Sequence, residues 1–231
     1  MLLKPLTEFL DRAHVRWRDP VLTGLTVLIA LHLFVVAPLW ALHDFDPRPV
    51  SIVVALLLSG ALLVLSRSLV PVLGILAAFS LFFATLILRT QQKHITLDIC
   101  LEAAAWLLVA LVIIWVVARA VFAPGRITYH RVVGAVLLYL SIGFVFVALF
   151  TLVGALSPGS YSGLTVTDRV FLPSDFVYFS FSTLTTVGYG DIVPVHPFAR
   201  SLSNVEAILG QLYPATLLAR LVSLETGSTP G

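Results

Sequence analysis

Thr185-Thr186-Val187-Gly188-Tyr189-Gly190-Asp191 lies between two long apolar segments, where a membrane chain ordinarily places a helix or a solvated loop. A cation in water is held by oxygens, and stripping them is costly unless replacements wait at similar distances. A short extended strand supplies such oxygens if its successive carbonyls all point one way. That requires alternating backbone handedness, which L-residues resist and glycine adopts at little cost. Gly188 and Gly190 stand where the geometry calls for them. Thr186 adds a hydroxyl oxygen at the inner end, and Val187 and Tyr189 are left to face away and pack. Gly-Tyr-Gly alone reads as a turn. The full run, in this setting and after a short helix signal, reads as an ion-coordinating loop.

Composition sets the solvent. Of 231 residues, 59% are hydrophobic and 11% charged, whereas about a quarter are charged in soluble domains; the mean hydropathy is +1.02. Lipid therefore surrounds the chain, and the backbone must be satisfied within helices, which makes the expected fold an all-α membrane protein. A net charge of +2 gives no reason to expect nucleic acid. The one cysteine, Cys100, excludes an intrachain disulfide and reads as a small buried hydrophobe. No motif gathers Ser, His and Asp into a nucleophilic site, so neither an enzyme nor an organic cofactor is expected.

Six spans are expected. Residues 1–19 read as an amphipathic interfacial helix, with Leu6, Leu10, Ala13 and Trp17 at near-helical spacing among basic residues. Residues 20–123 form a four-helix peripheral domain, with spans at Val21–Leu42, Val50–Leu65, Leu69–Leu88 and Leu97–Phe122. The first is long enough for the ~20 residues that a bilayer helix needs. Ser66-Arg67-Ser68 makes the second and third antiparallel neighbours. His32, inside the first span, reads either as hydrogen-bonded packing or as a proton relay. The fourth span carries one arginine, Arg119, in register with Leu107, Ala110, Ile113 and Val116 but at the helix end. One charge moved through 100 mV is worth only ~2.3 kcal/mol, so voltage sensing is not expected and Arg119 reads as an interfacial anchor. Asp98 and Glu102, four apart, are expected to pair with Arg89 or Lys93.

Ala123-Pro124-Gly125-Arg126 breaks the chain and opens a second unit, residues 124–224. Its fifth span, Val132–Val153, leads to a flexible extramembrane loop, Gly154–Pro173. Ser174-Asp175 signals a helix start, a capping hydroxyl followed by an acid. The helix Asp175–Leu184 has half a span's length, so it must enter the membrane without crossing it. Its C-terminal, negative end then faces the membrane centre and favours a cation there. Asp191–Pro197 climbs out, and Phe198–Leu224 is the sixth span, followed by a short cytoplasmic tail, 225–231. With both termini cytoplasmic, nine Lys and Arg lie inside and five outside, in keeping with the positive-inside tendency.

Thr186 to Gly190 match without a departure the selectivity filter of the tetrameric potassium channels, the standard example of such a loop. Residues 174–222 resemble the pore of bacterial channels in the two-transmembrane pore family. The likeness over 132–173 is one of topology, and over 1–123 only a helix count. The resemblance implies a homotetramer in the lipid of the cell membrane, plasma or inner, with its filter at the outer mouth and each chain giving one loop to a closed ring. It implies K+ held by the carbonyls of Thr186, Val187, Gly188 and Tyr189 and the Thr186 hydroxyl, with Gly190 completing the strand and Thr185 supporting it. Tyr178 occupies the place of an aromatic that braces the filter in relatives, and is expected near Tyr189 or Asp191 unless it merely packs. Ser182 stands where some relatives carry a glutamate. Asp191 either gathers cations or braces the filter. Gly210, 22 residues after Gly188, matches a hinge glycine of the inner helix, with close helix packing as the other reading, and Pro214 loosens the same helix. Glu206 is an intramembrane acid that either bonds behind the filter or senses protons. Gln211 and Thr216 are placed at the cavity. The function expected is passive, potassium-selective conduction not driven by voltage in the usual way. A weakly selective cation channel and a non-conducting modulatory subunit are the alternatives.

Overall fold

The computed structural model describes residues 20–36, 38–39, 48–65, 69–90, 95–122, 129–164 and 173–226. The interfacial helix expected within 1–19 lies outside the described residues, as do Lys93 and the side chain of Arg89, the partners expected for Asp98 and Glu102. The described chain is almost entirely helical: α1 (Pro20–Val36), α2 (Arg48–Leu65), α3 (Leu69–Thr90), α4 (Ile95–Val121), α5 (Tyr129–Leu156), α6 (Pro173–Leu184) and α7 (Pro197–Thr226). The last five residues of α1, His32–Val36, are wound as a π-helix. Among the described residues, two helices are long and apolar enough to cross a bilayer, Thr96–Val121 and Tyr129–Leu156; Pro20–Val36 and Leu69–Thr85 are shorter apolar helices.

Several boundaries differ from the sequence reading. Helix α5 runs three residues past Val153, so Gly154 to Leu156 are helical and not loop. At Gly154 a Cβ would lie 3.1 Å from the Phe176 ring, so glycine there lets an aromatic of α6 close on the helix. The expected flexible loop is also partly ordered: Tyr161–Ser162 (β1) pairs antiparallel with Val193–Pro194 (β2), Tyr161 opposite Pro194. Helix α6 starts at Pro173, whose fixed φ and missing N–H suit a first helical position, so Ser174 is not the cap. The expected tail continues α7 to Thr226.

Helix α5 is the central element. Helix α4 packs along one side of it, with α3 beyond, and α6 and α7 pack on the other. Small residues set the approach: a Cβ at Gly134 would stand 2.7 Å from Val121, and one at Gly143 2.8 Å from the Phe181 ring. Serine and threonine hydroxyls in the helices turn back onto their own carbonyls, as Ser141 does to Leu137 at 2.7 Å and Thr151 to Val147 at 2.8 Å, so they need no partner from lipid. Trp106 on α4 is the joint of this packing. Its ring meets His32 of α1 at 5.7 Å, Phe82 of α3 at 5.2 Å and Phe144 of α5 at 5.4 Å. His32 is thus a packing partner of an aromatic. Phe34 of α1 reaches the Phe181 ring of α6 edge-on at 5.0 Å. The Arg119 guanidinium lies 4.5 Å above the Trp115 ring, an arrangement that suits an anchor at the end of a span.

Removing the Trp106 ring leaves three facing rings without their shared partner. Trp106→Ala is expected to cost about 3 kcal/mol, read as a lowered midpoint of thermal unfolding in detergent.

Candidate functional site

The site is built where α6 ends. Thr186 has φ 60°, Gly188 57° and Gly190 81°. Thr186 is the only non-glycine among the described residues with positive φ, so Val187 and Tyr189 between them keep the ordinary hand. Handedness therefore alternates residue by residue from 186 to 190. At Gly188 and Gly190 an added Cβ would meet nothing within 4 Å, so conformation and not space demands glycine there. Thr186 adopts the left-handed region despite its branched side chain, at about 1–2 kcal/mol. Its backbone bonds offset this. The Thr186 N–H donates to the Thr183 carbonyl at 2.9 Å, and the Val187 and Gly188 N–H groups both donate to the Ser182 carbonyl, at 2.9 and 3.1 Å. The end of α6 thus takes up the amides of the loop. The Ser182 side chain bonds within its own helix, to Phe179, while the Thr185 hydroxyl donates to the Phe181 carbonyl.

Tyr178 lies near both expected neighbours. Its ring stacks on Tyr189 with centroids 5.7 Å apart and planes 13° from parallel, and its phenol donates to the Asp191 carboxylate. That bond holds the Asp191 carboxyl below its usual range. Asp191 also accepts from the Ile192 N–H at 3.0 Å, and its backbone carbonyl abuts Gly163 so closely that no side chain fits there. The exit strand is tied down by the Ser160 carbonyl, which accepts the N–H groups of Val195 and His196 at 2.8 and 3.2 Å. The His196 ring nitrogen Nδ1 accepts the Phe198 N–H at 3.3 Å, capping α7 just before Pro197.

Below the loop, three helices meet at one carbonyl. Leu184 O, the last of α6, accepts the Tyr139 hydroxyl of α5 at 3.3 Å, and Gly210 of α7 lies against it with no room for a Cβ. The Tyr213 hydroxyl donates to the Ala135 carbonyl at 2.7 Å, and the Tyr139 and Tyr213 rings lie 5.8 Å apart. This close approach is by itself a reason for glycine at position 210. Pro214 lies inside the continuous helix α7, and its missing N–H is the one that would serve the Gly210 carbonyl. Gln211 donates from Nε2 to the Thr186 hydroxyl at 2.9 Å. Thr216 instead bonds to carbonyls of its own helix, Leu212 and Tyr213.

Glu206 is fully buried, 0% exposed. Its Oε1 lies 2.5 Å from the Ser180 hydroxyl, which also lies 2.9 Å from the Gly143 carbonyl. Serine has one hydrogen, and a carbonyl only accepts. Both contacts carry a hydrogen only when Glu206 is a neutral carboxylic acid donating to Ser180. Among the described residues Oε2 has no hydrogen-bond partner, which also favours the uncharged form in so dry a place. The bond ties α7 to α6 and, through Ser180, to α5. Sequence reasoning singled out Glu206 but gave no signal for Ser180; the two lone tyrosines, Tyr139 and Tyr213, were the available hint of a polar seam between helices.

Known proteins resemble this same segment. Residues 134–226 match the family model described as ion channel. Protein LctB of Geobacillus stearothermophilus is 39% identical over 66 residues, 29% of this chain and 46% of that protein. Protein LctB of Bacillus caldotenax is 40% identical over 55 residues, 24% of this chain and 40% of that one. The inward rectifier potassium channel Kirbac3.1 of Paramagnetospirillum magnetotacticum is 34% identical over 58 residues, 25% and 20% of the two chains. The chain thus spans less than half the length of each of these relatives. No solved structure matches. Residues 134–226 thus resemble an ion-channel family, and Tyr129–Leu156, which opens this segment, is long and apolar enough to cross a membrane.

Three outcomes follow for variants of the site. Glu206→Gln, which keeps the size and supplies a donor, retains stability near that of the parent, whereas Glu206→Ala loses about 2–4 kcal/mol by opening a cavity and removing the donor that the Ser180 oxygen accepts from; chemical unfolding in detergent measures both. Gly210→Ala pushes a methyl against the Leu184 carbonyl and destabilises the fold by about 1–3 kcal/mol, measured in the same way. Tyr178→Phe raises the Asp191 carboxyl toward the usual value near 3.9. The bond contributes stability at pH above that value and loses it as pH falls through the lowered native one, so an acid titration of the parent retains the loop to lower pH than one of the variant.

Proposed function

We propose that this chain is a potassium-selective channel subunit of the cell membrane, conducting K+ passively as a homotetramer. Six spans carry it, both termini are cytoplasmic, and residues 124–224 build the pore. The alternation of handedness over Thr186–Gly190 is the observation that carries this reading, because it is the backbone arrangement that turns consecutive carbonyls to one side. One such strand offers one wall of oxygens. Four on a common axis surround an ion in square layers, built from the carbonyls of Thr186, Val187, Gly188 and Tyr189 with the Thr186 hydroxyl innermost. Asp191 and Tyr178 brace Tyr189 from behind, and repulsion between ions in neighbouring sites keeps transit fast. The likeness of residues 134–226 to the ion-channel family, and of a shorter segment to a potassium channel, supports the same conclusion. Arg119, alone at a helix end and over Trp115, supports gating by something other than membrane voltage.

Purified protein in planar bilayers with a finite K+ gradient, balanced by Na+ on the low-K+ side, is expected to reverse near the K+ equilibrium potential. Gly188→Ala, which forces an L-residue into the left-handed region in each subunit, is expected to abolish the current. A parent protein that passes Na+ as readily as K+ would contradict selectivity, and one that passes neither would make it a non-conducting subunit.

A further inference from the structure

We infer that Gln211 is a positioning residue for the innermost ion site, acting by fixing the Thr186 hydroxyl; this rests on the channel reading above. A threonine hydroxyl has one hydrogen and two lone pairs, and left alone it rotates. A hydroxyl that turns its hydrogen toward a cation repels it, and one that turns a lone pair toward it binds it. Here the Gln211 amide donates to Thr186 Oγ1 at 2.9 Å and occupies one lone pair. The oxygen is thereby held as an acceptor of known orientation, with its second lone pair left for an ion.

The placement of that amide is built into the fold. Gln211 follows Gly210, whose backbone is pressed against the Leu184 carbonyl, and that carbonyl is itself held by the Tyr139 hydroxyl. Thr186 lies two residues beyond Leu184, with its own N–H tied to Thr183. Donor and acceptor are thus anchored to the same end of α6 from opposite sides. An apolar side chain at 211 leaves every backbone contact intact and removes only the donor. Gln211 is also exposed at the surface of the single chain, so its replacement buries or uncovers no core.

Ba2+ tests this, because it is divalent and close to K+ in radius, so it enters the same oxygen cage and leaves slowly. Applied from the cytoplasmic side, it meets the Thr186 ring first. The assay is K+ flux from liposomes carrying the tetrameric protein, with internal Ba2+ titrated. Gln211→Met matches the length without a donor and is expected to weaken Ba2+ inhibition by ~10-fold, the upper end of the scale for losing a hydrogen bond between neutral groups; Gln211→Leu repeats the test with a different shape. In a Thr186→Cys background, which lacks the hydroxyl, Gln211→Met is expected to change inhibition no further, because the two side chains act as one unit. The inference is overturned if both substitutions leave Ba2+ inhibition within twofold of the parent, or if their effect is the same with and without the hydroxyl. A parent that shows no K+ flux overturns the channel reading itself, and the inference with it.

Discussion

An amide that aims its carbonyl at an ion aims its N–H the opposite way, and that N–H must be satisfied where water is scarce. Helices α5 to α7 and the loop between α6 and α7 are arranged around this requirement. The Ser182 carbonyl receives the amides of Val187 and Gly188, and the Thr183 carbonyl receives that of Thr186. A helix leaves its last carbonyls unpartnered in any case, so the end of α6 and the start of the loop satisfy each other. This explains why a half-length helix stands before the glycine run. It is the surface against which a left-handed, alternating strand is held.

That surface must itself stay in place, and the polar contacts around it do so at low cost in apolar packing. Leu184 O sits between the Tyr139 hydroxyl and the backbone of Gly210. Tyr213 reaches back to Ala135, and Glu206 with Ser180 joins α6 and α7 to the Gly143 carbonyl on α5. Each bond lies between helices and none depends on solvent. Neutral Glu206 fits this setting better than a carboxylate, whose burial without a counter-charge costs several kcal/mol. On the far side of α5, Trp106 gathers rings from α1, α3 and α5.

Much of this was legible in the sequence because lipid leaves few options. Long apolar runs give helices. The loop from Thr185 to Asp191 declared itself through two glycines at alternate positions, and Tyr178 lies beside Tyr189 and Asp191, the neighbours that the family resemblance implied. What sequence could not give is pairing at a distance. Nothing local to Ser180 or Tyr139 says that one faces Glu206 and the other Leu184, because both look like ordinary residues of an apolar helix. The left-handed φ of Thr186 was also hidden, since threonine avoids that region and only the tertiary bonds around it make it tolerable. The strand pair at Tyr161 and Pro194 escaped notice because two-residue strands carry no periodicity.

The central claim concerns a shared axis, and imaging the assembled protein tests it most directly. Density maps of the purified oligomer in K+ and in Na+ are expected to show four loops around one axis. In K+, discrete density is expected between successive layers from Thr186 to Tyr189, with that pattern altered in Na+. Loops that face away from one another, or carbonyls of Val187 and Tyr189 splayed from any common axis with no ion density between them, would contradict the account.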